Sequence, residues 1–80
     1  MVNEINNIAH KKDLIKFISH LARDFVENSA EWENMTIPEF LLAMGSWIEE
    51  YSECPANDIE WDKIDYKTLA KIIYMGKIYE

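Results

Sequence analysis

Apolar residues recur at intervals of three and four along most of this chain, and this period leaves little choice of secondary structure. Between residues 11 and 28 the apolar positions form one stripe, with polar residues on the opposite face. The stripe consists of Leu14, Phe17, Ile18, Leu21, Ala22 and Phe25, widened by Ile15 and Val26. Asp13 falls in the first turn, where a carboxylate suits the helix dipole. The segment is predicted to be an amphipathic α-helix.

A second helix is predicted over residues 37–52, because its start carries the residues of a capping box. The Thr36 side chain can accept from a free backbone N–H of the first turn, and the Glu39 carboxylate can accept from the N–H of Thr36 in return. Met35 before the cap and Phe40 after it have the spacing of a hydrophobic staple. This boundary therefore rests on side-chain chemistry as well as on periodicity.

Leu42 is the apolar residue of the second helix that falls outside its apolar stripe. The stripe consists of Phe40, Met44, Trp47 and Tyr51. Leu42 instead projects near Glu49, on the polar side of the helix. It is expected to be either covered by another segment or exposed as an apolar contact on an acidic rim.

The last helix is predicted over residues 65–77, with apolar residues on two of its sides. A helix of this kind is usually packed between neighbours, and Gly76 would permit a close backbone approach there. The alternative is that the end of this helix offers apolar side chains to a partner or to a second copy of the chain. Those side chains are Met75, Ile78 and Tyr79.

The sequence therefore predicts an all-α fold with one helical domain over residues 1–80. Its architecture is a small bundle of three main helices, at about 11–28, 37–52 and 65–77, with an acidic loop between the second and the third. Apolar residues make up 49% of the chain and include three Trp, four Tyr and three Phe, which is enough for a core without disulfides.

Cysteine content and hydropathy predict a cytoplasmic protein. The single cysteine, Cys54, cannot form an internal disulfide, and no apolar stretch of signal-peptide length precedes the first helix. The longest apolar runs are a few residues, far short of the roughly 20 that cross a bilayer. We therefore expect no membrane association.

Negative charge is concentrated in the middle of the chain. Twelve of the 15 carboxylates lie between Asp24 and Asp65, where Lys63 is the only base, although the net charge of the whole chain is only −7. Such a block repels the phosphates of nucleic acids and attracts a basic protein surface. A net charge of this size also serves solubility alone in many small domains, so both interpretations stay open.

The residues that catalysis requires do not assemble in the sequence. His10 and His20 lie ten residues apart, and His20 is expected to pair with Asp24 or Lys16 on the helix surface rather than to act as a base. Cys54 lies in an acidic loop, which disfavours a reactive thiolate. We expect a protein that is not an enzyme.

No metal or cofactor is expected either. Calcium comes closest, because the acidic residues of the loop alternate, but the turn glycine and the closing glutamate of a calcium loop are missing. The alternating residues are Asp58, Glu60, Asp62 and Asp65. One cysteine and two distant histidines cannot build a zinc site, and glycine occurs only at positions 45 and 76, which leaves no phosphate-binding loop.

Two segments are similar to the signature of a family of short bacterial proteins of unknown function. The first is residues 31–37, E-W-E-N-M-T-I, with Phe40 and Leu41 following, and the second is the chain end 69–80, which closes with I-Y-E. In size and acidity the chain also resembles the immunity proteins of contact-dependent growth inhibition and other bacterial toxin systems. That second resemblance implies a partner, a delivered toxin domain, and many such domains are basic nucleases.

We therefore expect an immunity protein that neutralises a cationic toxin domain through an acidic surface, without direct contact to nucleic acid, as a monomer or weak homodimer. The expected contact residues are Glu49, Glu50, Glu53, Asp58, Glu60, Trp61 and Asp62. The alternative is an adaptor or self-associating domain whose acidity serves solubility. In that case the loop is a solvated connection, and Trp61 belongs to the core.

Overall fold

The computed structural model describes residues 1–54 and 59–80, and within them it contains helices and no β-strand. The helices are α1 (Val2–Asn6), α2 (Lys11–Glu27), α3 (Ile37–Ser52) and α4 (Tyr66–Ile78). Single 3₁₀ turns lie at Ser29–Glu31 and Trp61–Lys63. The predicted all-α bundle of three main helices is confirmed, with each boundary within one residue of its expected place. In the described residues, no helix is both long and apolar enough to cross a membrane.

Helix α4 is the centre of the bundle, as its two apolar sides predict. It packs against α1, α2 and α3, and its contact with α3 is the most extensive. The ring of Phe40 lies directly over Gly76, where an added Cβ would be 2.6 Å from Phe40 Cε2. The close approach at this glycine is thus made by a side chain rather than by another backbone as predicted, and a larger residue would clash with the Phe40 ring.

The core gathers residues from α2, α4 and the two segments that precede α2 and α3. Phe17 of α2 is fully buried. Ile5, Ile8, Leu14, Leu21, Trp32 and Ala70 surround it. Ile5 and Ile8 belong to the N-terminal segment, for which the sequence indicated no helix because α1 is too short to show a period. The N-terminus is thus part of the folded body.

The apolar stripe predicted for α2 is wider than the face that is buried. Val26 is 80% exposed, and Ile15 and Ile18 are also exposed. The reason is tertiary: α2 packs mainly on α4, so only the side chains on that side of the stripe become covered. Periodicity identifies the helix, but it cannot say how many neighbours the helix has.

Side-chain caps fix the starts of α3 and α4. Thr36 Oγ1 accepts from the N–H of Glu39 at 3.2 Å, and Glu39 Oε1 accepts from the N–H of Thr36 at 3.1 Å, which confirms the capping box. Asp65 accepts from the N–H of Thr68 at 2.8 Å. The hydrogen bond from the Thr36 side chain lowers the pKa of Glu39, and the backbone bond from Thr68 lowers the pKa of Asp65.

Candidate partner-binding surface

Three of the predicted contact residues stand together at the C-terminal end of α3. Glu49 and Glu50 lie in its last turns, Glu53 is the C-cap, and all three are exposed. The last turn of α3 has no basic residue, although the unpaired carbonyls at a helix end favour positive charge. Within the described residues, none of the three forms an ion pair with Lys or Arg. The carboxylates therefore repel both each other and the helix end.

Leu42 lies on the same side of α3, about two turns before Glu49 and three turns before Glu53. Leu42 is 71% exposed. Of the two outcomes that the sequence left open, coverage by another segment or exposure, the structure shows exposure. The spacing from Leu42 to Glu49 and Glu53 places all three side chains on one face. We call these residues, together with Glu50, the acidic face of α3. This face combines one exposed apolar side chain with carboxylates that form no ion pair with Lys or Arg in the described residues.

Glu50 also connects this face to the end of the chain. The Tyr79 hydroxyl donates a hydrogen bond to the Glu50 carboxylate. This hydrogen bond raises the pKa of Tyr79, because the tyrosinate could no longer donate and would face a second negative charge. The contact holds the last residues of the chain against α3.

A second concentration of negative charge lies where the chain end meets the segment before α3. The Glu80 side chain raises the pKa of Glu33, first by charge repulsion and then through a hydrogen bond between the two carboxyl groups. Both residues are exposed. Like charges this close are unfavourable in the isolated protein, and a cation from a partner would relieve the repulsion.

The acidic loop is placed beside the C-terminal half of α3 by an aromatic contact. The ring of Trp61 packs edge-on against Trp47 with ring centroids 6.2 Å apart, and Trp47 in turn stacks on Tyr51 at 4.9 Å. Glu60 and Asp62, on either side of Trp61, are exposed. Asp58, also predicted as a contact residue, lies outside the described residues.

Trp61 itself is half-buried rather than projecting as an exposed anchor. Its indole Nε1 is buried and has no acceptor among the described residues. The ring thus serves to dock the loop on α3, which orients Glu60 and Asp62. Trp61 is therefore neither an exposed anchor nor one of the buried core residues.

Charges of both signs surround Glu60. It borders a hollow that is also lined by Asp65 and by basic side chains of the loop and of α4, namely Lys63, Lys67 and Lys71. The surroundings of Glu60 are therefore mixed in charge, whereas α3 itself has no basic residue.

An ion pair also connects α2 and α4. Lys77 Nζ donates to Asp24 Oδ2 at 2.7 Å, and the Trp32 indole donates to the same oxygen at 2.8 Å. The Lys77 side chain is only 9% exposed, and its ammonium group lies 5.6 Å from the centre of the Trp32 ring. The hydrogen bond from Lys77 is the main reason that the pKa of Asp24 is lowered.

The pair of Asp24 and Lys77 was not predicted from the sequence, and it corrects the expectation for His20. Asp24 does not pair with His20; the ring of His20 instead lies 2.8 Å from Glu4 of α1. The available signal was the position of Lys77, seven residues after Ala70 on the side of α4 that faces the core. A lysine at such a position predicts a buried acidic partner.

The motif segment before α3 closes the C-terminal end of α4. The Asn34 side-chain amide donates to the carbonyls of Gly76 at 3.0 Å and Tyr79 at 2.8 Å. The backbone N–H groups of Glu33 and Asn34 donate to the carbonyl of Lys77. Carbonyls that a helix end would leave unpaired are satisfied in this way. The E-W-E-N segment and the end of the chain therefore form one structural unit.

Beside this unit lies an apolar hollow of about 190 Å³ between α2 and the start of α3. Trp32 stands between Phe25, whose ring it meets edge-on at 5.1 Å, and Phe40, on which it stacks at 6.1 Å. These three aromatic rings line the hollow together with Met35 and Ile37. We call it the aromatic hollow.

The described residues also show where the candidate chemical groups lie. His10 is the N-cap of α2, and its backbone N–H donates to Asp13 at 2.9 Å. Cys54 is exposed and is not part of a disulfide. In residues 1–54 and 59–80, no three His, Cys, Asp or Glu side chains are grouped so that they could hold a metal ion.

Comparison with known proteins identifies a family but no annotated relative. Neither the curated proteins nor the solved structures contain a significant match to this chain. Residues 10–80 match the model of DUF7660, a family of unknown function. The match covers most of the chain, and the protein therefore belongs to that family. It includes α2, α3, α4 and the E-W-E-N segment, and α1 lies before it.

Proposed function

We propose that this member of the DUF7660 family is an immunity protein of the bacterial cytoplasm that binds a cationic toxin domain, a nuclease, and blocks it. The observation that carries the proposal is the acidic face of α3, where Glu49, Glu50 and Glu53 stand at the helix end that disfavours negative charge. Residues that are unfavourable for the stability of their own helix, with no contact that compensates, occur most often at functional sites.

A basic partner would relieve this unfavourable arrangement. Lys or Arg side chains docking on Glu49 and Glu53 would complement both the carboxylates and the end of the helix dipole. Before contact, the same charges would steer the partner and raise its association rate in a salt-dependent way. Leu42, exposed on the same face, would supply apolar contact within the charged surroundings.

The proposed mode of inhibition is occupation of the phosphate-binding surface of the nuclease. A nuclease binds its substrate mainly through cations that contact phosphates, and a rigid array of carboxylates competes for those cations. The α3 face is well suited because it is helical and is packed on α4, so little order has to be gained on binding. Glu60 and Asp62 flank this face, with Trp61 holding their loop in place.

The test is binding and protection with the C-terminal toxin domain of a large secreted protein encoded by the neighbouring gene. Cells that produce this domain are expected to survive only when the present chain is co-expressed. The double variant Glu49→Lys/Glu53→Lys is expected to slow association and to flatten its salt dependence.

The matched control is Ser19→Lys, which adds a cation at an exposed position on a different helix, α2. It should bind the toxin domain as the unmodified chain does. Absence of binding by the unmodified chain, or equal effects of the α3 and α2 variants, would contradict the proposal.

The alternative function, a self-associating interaction domain, is supported by a different surface from the one that the sequence indicated. Helix α4 is central, and of the three side chains expected to be offered at its end Met75 and Tyr79 are half-buried, while Ile78 is 38% exposed. More strongly exposed apolar side chains occur on α2, at Ile15, Ile18 and Val26. Sedimentation of the purified chain over a range of concentrations would reveal association, and Ile18→Lys would abolish it if α2 carries the contact.

A further inference from the structure

The aromatic hollow has the size and the lining of a pocket for a single side chain. Its volume of about 190 Å³ is below the roughly 300 to 1,000 Å³ of ordinary small-molecule pockets. Most of its lining is apolar: Phe25, Trp32 and Phe40 form the walls, and Met35 and Ile37 are exposed at the rim. A hollow of this kind exposes apolar surface that a partner's side chain would cover.

The walls of the hollow are held in place before any partner arrives. The Trp32 indole is fixed by its hydrogen bond to Asp24, and Asn34 is fixed by its two bonds to the end of α4. On the other side, the capping box of Thr36 and Glu39 fixes the first turn of α3. A preformed pocket requires little ordering on binding, which favours affinity.

The charge around the hollow defines the occupant. The segment from Phe25 to Phe40, which supplies every lining residue, contains four carboxylates and no Lys or Arg. They are Glu27, Glu31, Glu33 and Glu39. Lys77, whose ammonium group lies 5.6 Å from the centre of the Trp32 ring, is held by Asp24. Basic residues on the partner would therefore meet carboxylates around the pocket.

We propose that the aromatic hollow receives one apolar side chain, of the size of leucine, that projects from a basic surface of the protein partner. This inference rests on the proposed function and adds the anchor to it: the α3 face attracts the partner, and the hollow holds it. Anchors buried in a pocket and surrounded by polar contacts usually dominate the energy of an interface. A second copy of this chain fits poorly, because its net charge of −7 would repel the acidic surroundings of the hollow.

The test uses short peptides, so that it does not depend on the toxin domain. The chain is labelled at its methionine methyl groups, of which Met35 lines the hollow and Met75 lies on α4 outside it. A pentapeptide with leucine between two pairs of lysines is expected to shift the NMR signal of the Met35 methyl and to leave that of Met75 unchanged. Two further peptides, with serine in place of leucine or glutamates in place of the lysines, should have no such effect.

Matched substitutions locate the effect. Ile37→Ser at the rim of the hollow is expected to weaken the binding of the leucine peptide at least about ten-fold. Ile15→Ser, which changes an exposed isoleucine on α2, should leave the affinity for this peptide unchanged. No shift of Met35, an equal shift with the serine peptide, or a shift that grows with protein concentration alone would overturn the inference. The proposed function is judged separately, by the binding of the toxin domain.

Discussion

Asp24 and Lys77 show how much of this fold depends on a single pair of side chains. Asp24 accepts hydrogen bonds from Lys77, Trp32 and Asn28, so α2, the motif segment and α4 meet at one carboxylate. Burying such a pair is costly, and its worth depends on both partners being present. The two residues lie 53 positions apart in the chain, and the pair links the segments of the sequence motif.

We predict that Asp24→Asn destabilises the protein by roughly 3 kcal/mol, because it leaves the ammonium group of Lys77 buried without a counter-ion. The double variant Asp24→Asn/Lys77→Met should recover part of this loss, since no unpaired charge then remains. Urea denaturation at neutral pH measures both, and Glu27→Gln on the same helix is the control. A double variant less stable than Asp24→Asn would show that Lys77 acts through packing rather than charge.

The same ion pair predicts the response to acid. The folded protein lowers the pKa of Asp24 from 3.8, mainly through the Lys77 hydrogen bond, so the unfolded chain takes up this proton first as the pH falls. The stabilisation is fully present well above pH 3.8 and is lost as the pH drops through the lower pKa of the folded state. Denaturation at several pH values should show a smaller loss of stability below pH 4 in Asp24→Asn than in the unmodified chain.

At the scale of the element, the two ends of α3 differ in their electrostatics. Its start carries the capping box of Thr36 and Glu39, where a carboxylate suits the positive end of the helix dipole. Its other end carries Glu49, Glu50 and Glu53 and no basic residue in the last turn. One end of the helix is therefore optimised for stability, and the other is the main candidate for partner binding.

We predict that Glu49→Lys/Glu53→Lys makes the isolated protein more stable, by roughly 0.3 to 1 kcal/mol per residue at low salt. Replacing repelled carboxylates with cations complements the carbonyls at the helix end. Thermal unfolding at low and high salt measures the gain, which salt should reduce. A loss of stability would mean that the acidic face of α3 is not strained, and the main support for the proposed function would be gone.

At the scale of the whole molecule, α4 is the organising element. Helices α1, α2 and α3 pack around it. The segment from Asn28 to Thr36 crosses the C-terminal end of α4, and the aromatic hollow lies beside this segment. Lysines predominate at the start of α2, whereas α3 has no basic residue, so positive and negative charge lie on different elements. In residues 1–54 and 59–80, the carboxylates of the acidic face of α3 form no ion pair with a lysine or arginine of the chain.

The short α1 is predicted to be part of the cooperative fold, although the family match begins after it. Ile5 is only 4% exposed, so Ile5→Ala should cost about 2 to 4 kcal/mol through lost burial and the cavity left behind. Val2→Ala, on the same helix but 55% exposed, is the control and should cost much less. Equal and small effects of both variants in urea denaturation would mean that α1 is frayed in solution.

Local sequence determined the three main helices of this protein, because a helical period and a capping box are properties of neighbouring residues; α1 was too short to show such a period. It also determined that the residues around α3 would be acidic, which was enough to predict Glu49, Glu50 and Glu53 as contact residues. Tertiary structure alone decided that Lys77 pairs with Asp24, because the fold brings together residues that are 53 positions apart in the chain. For the same reason only the structure shows that Trp32, Phe25 and Phe40 line a hollow. It also shows that Trp61 packs on Trp47 and so holds its loop against α3.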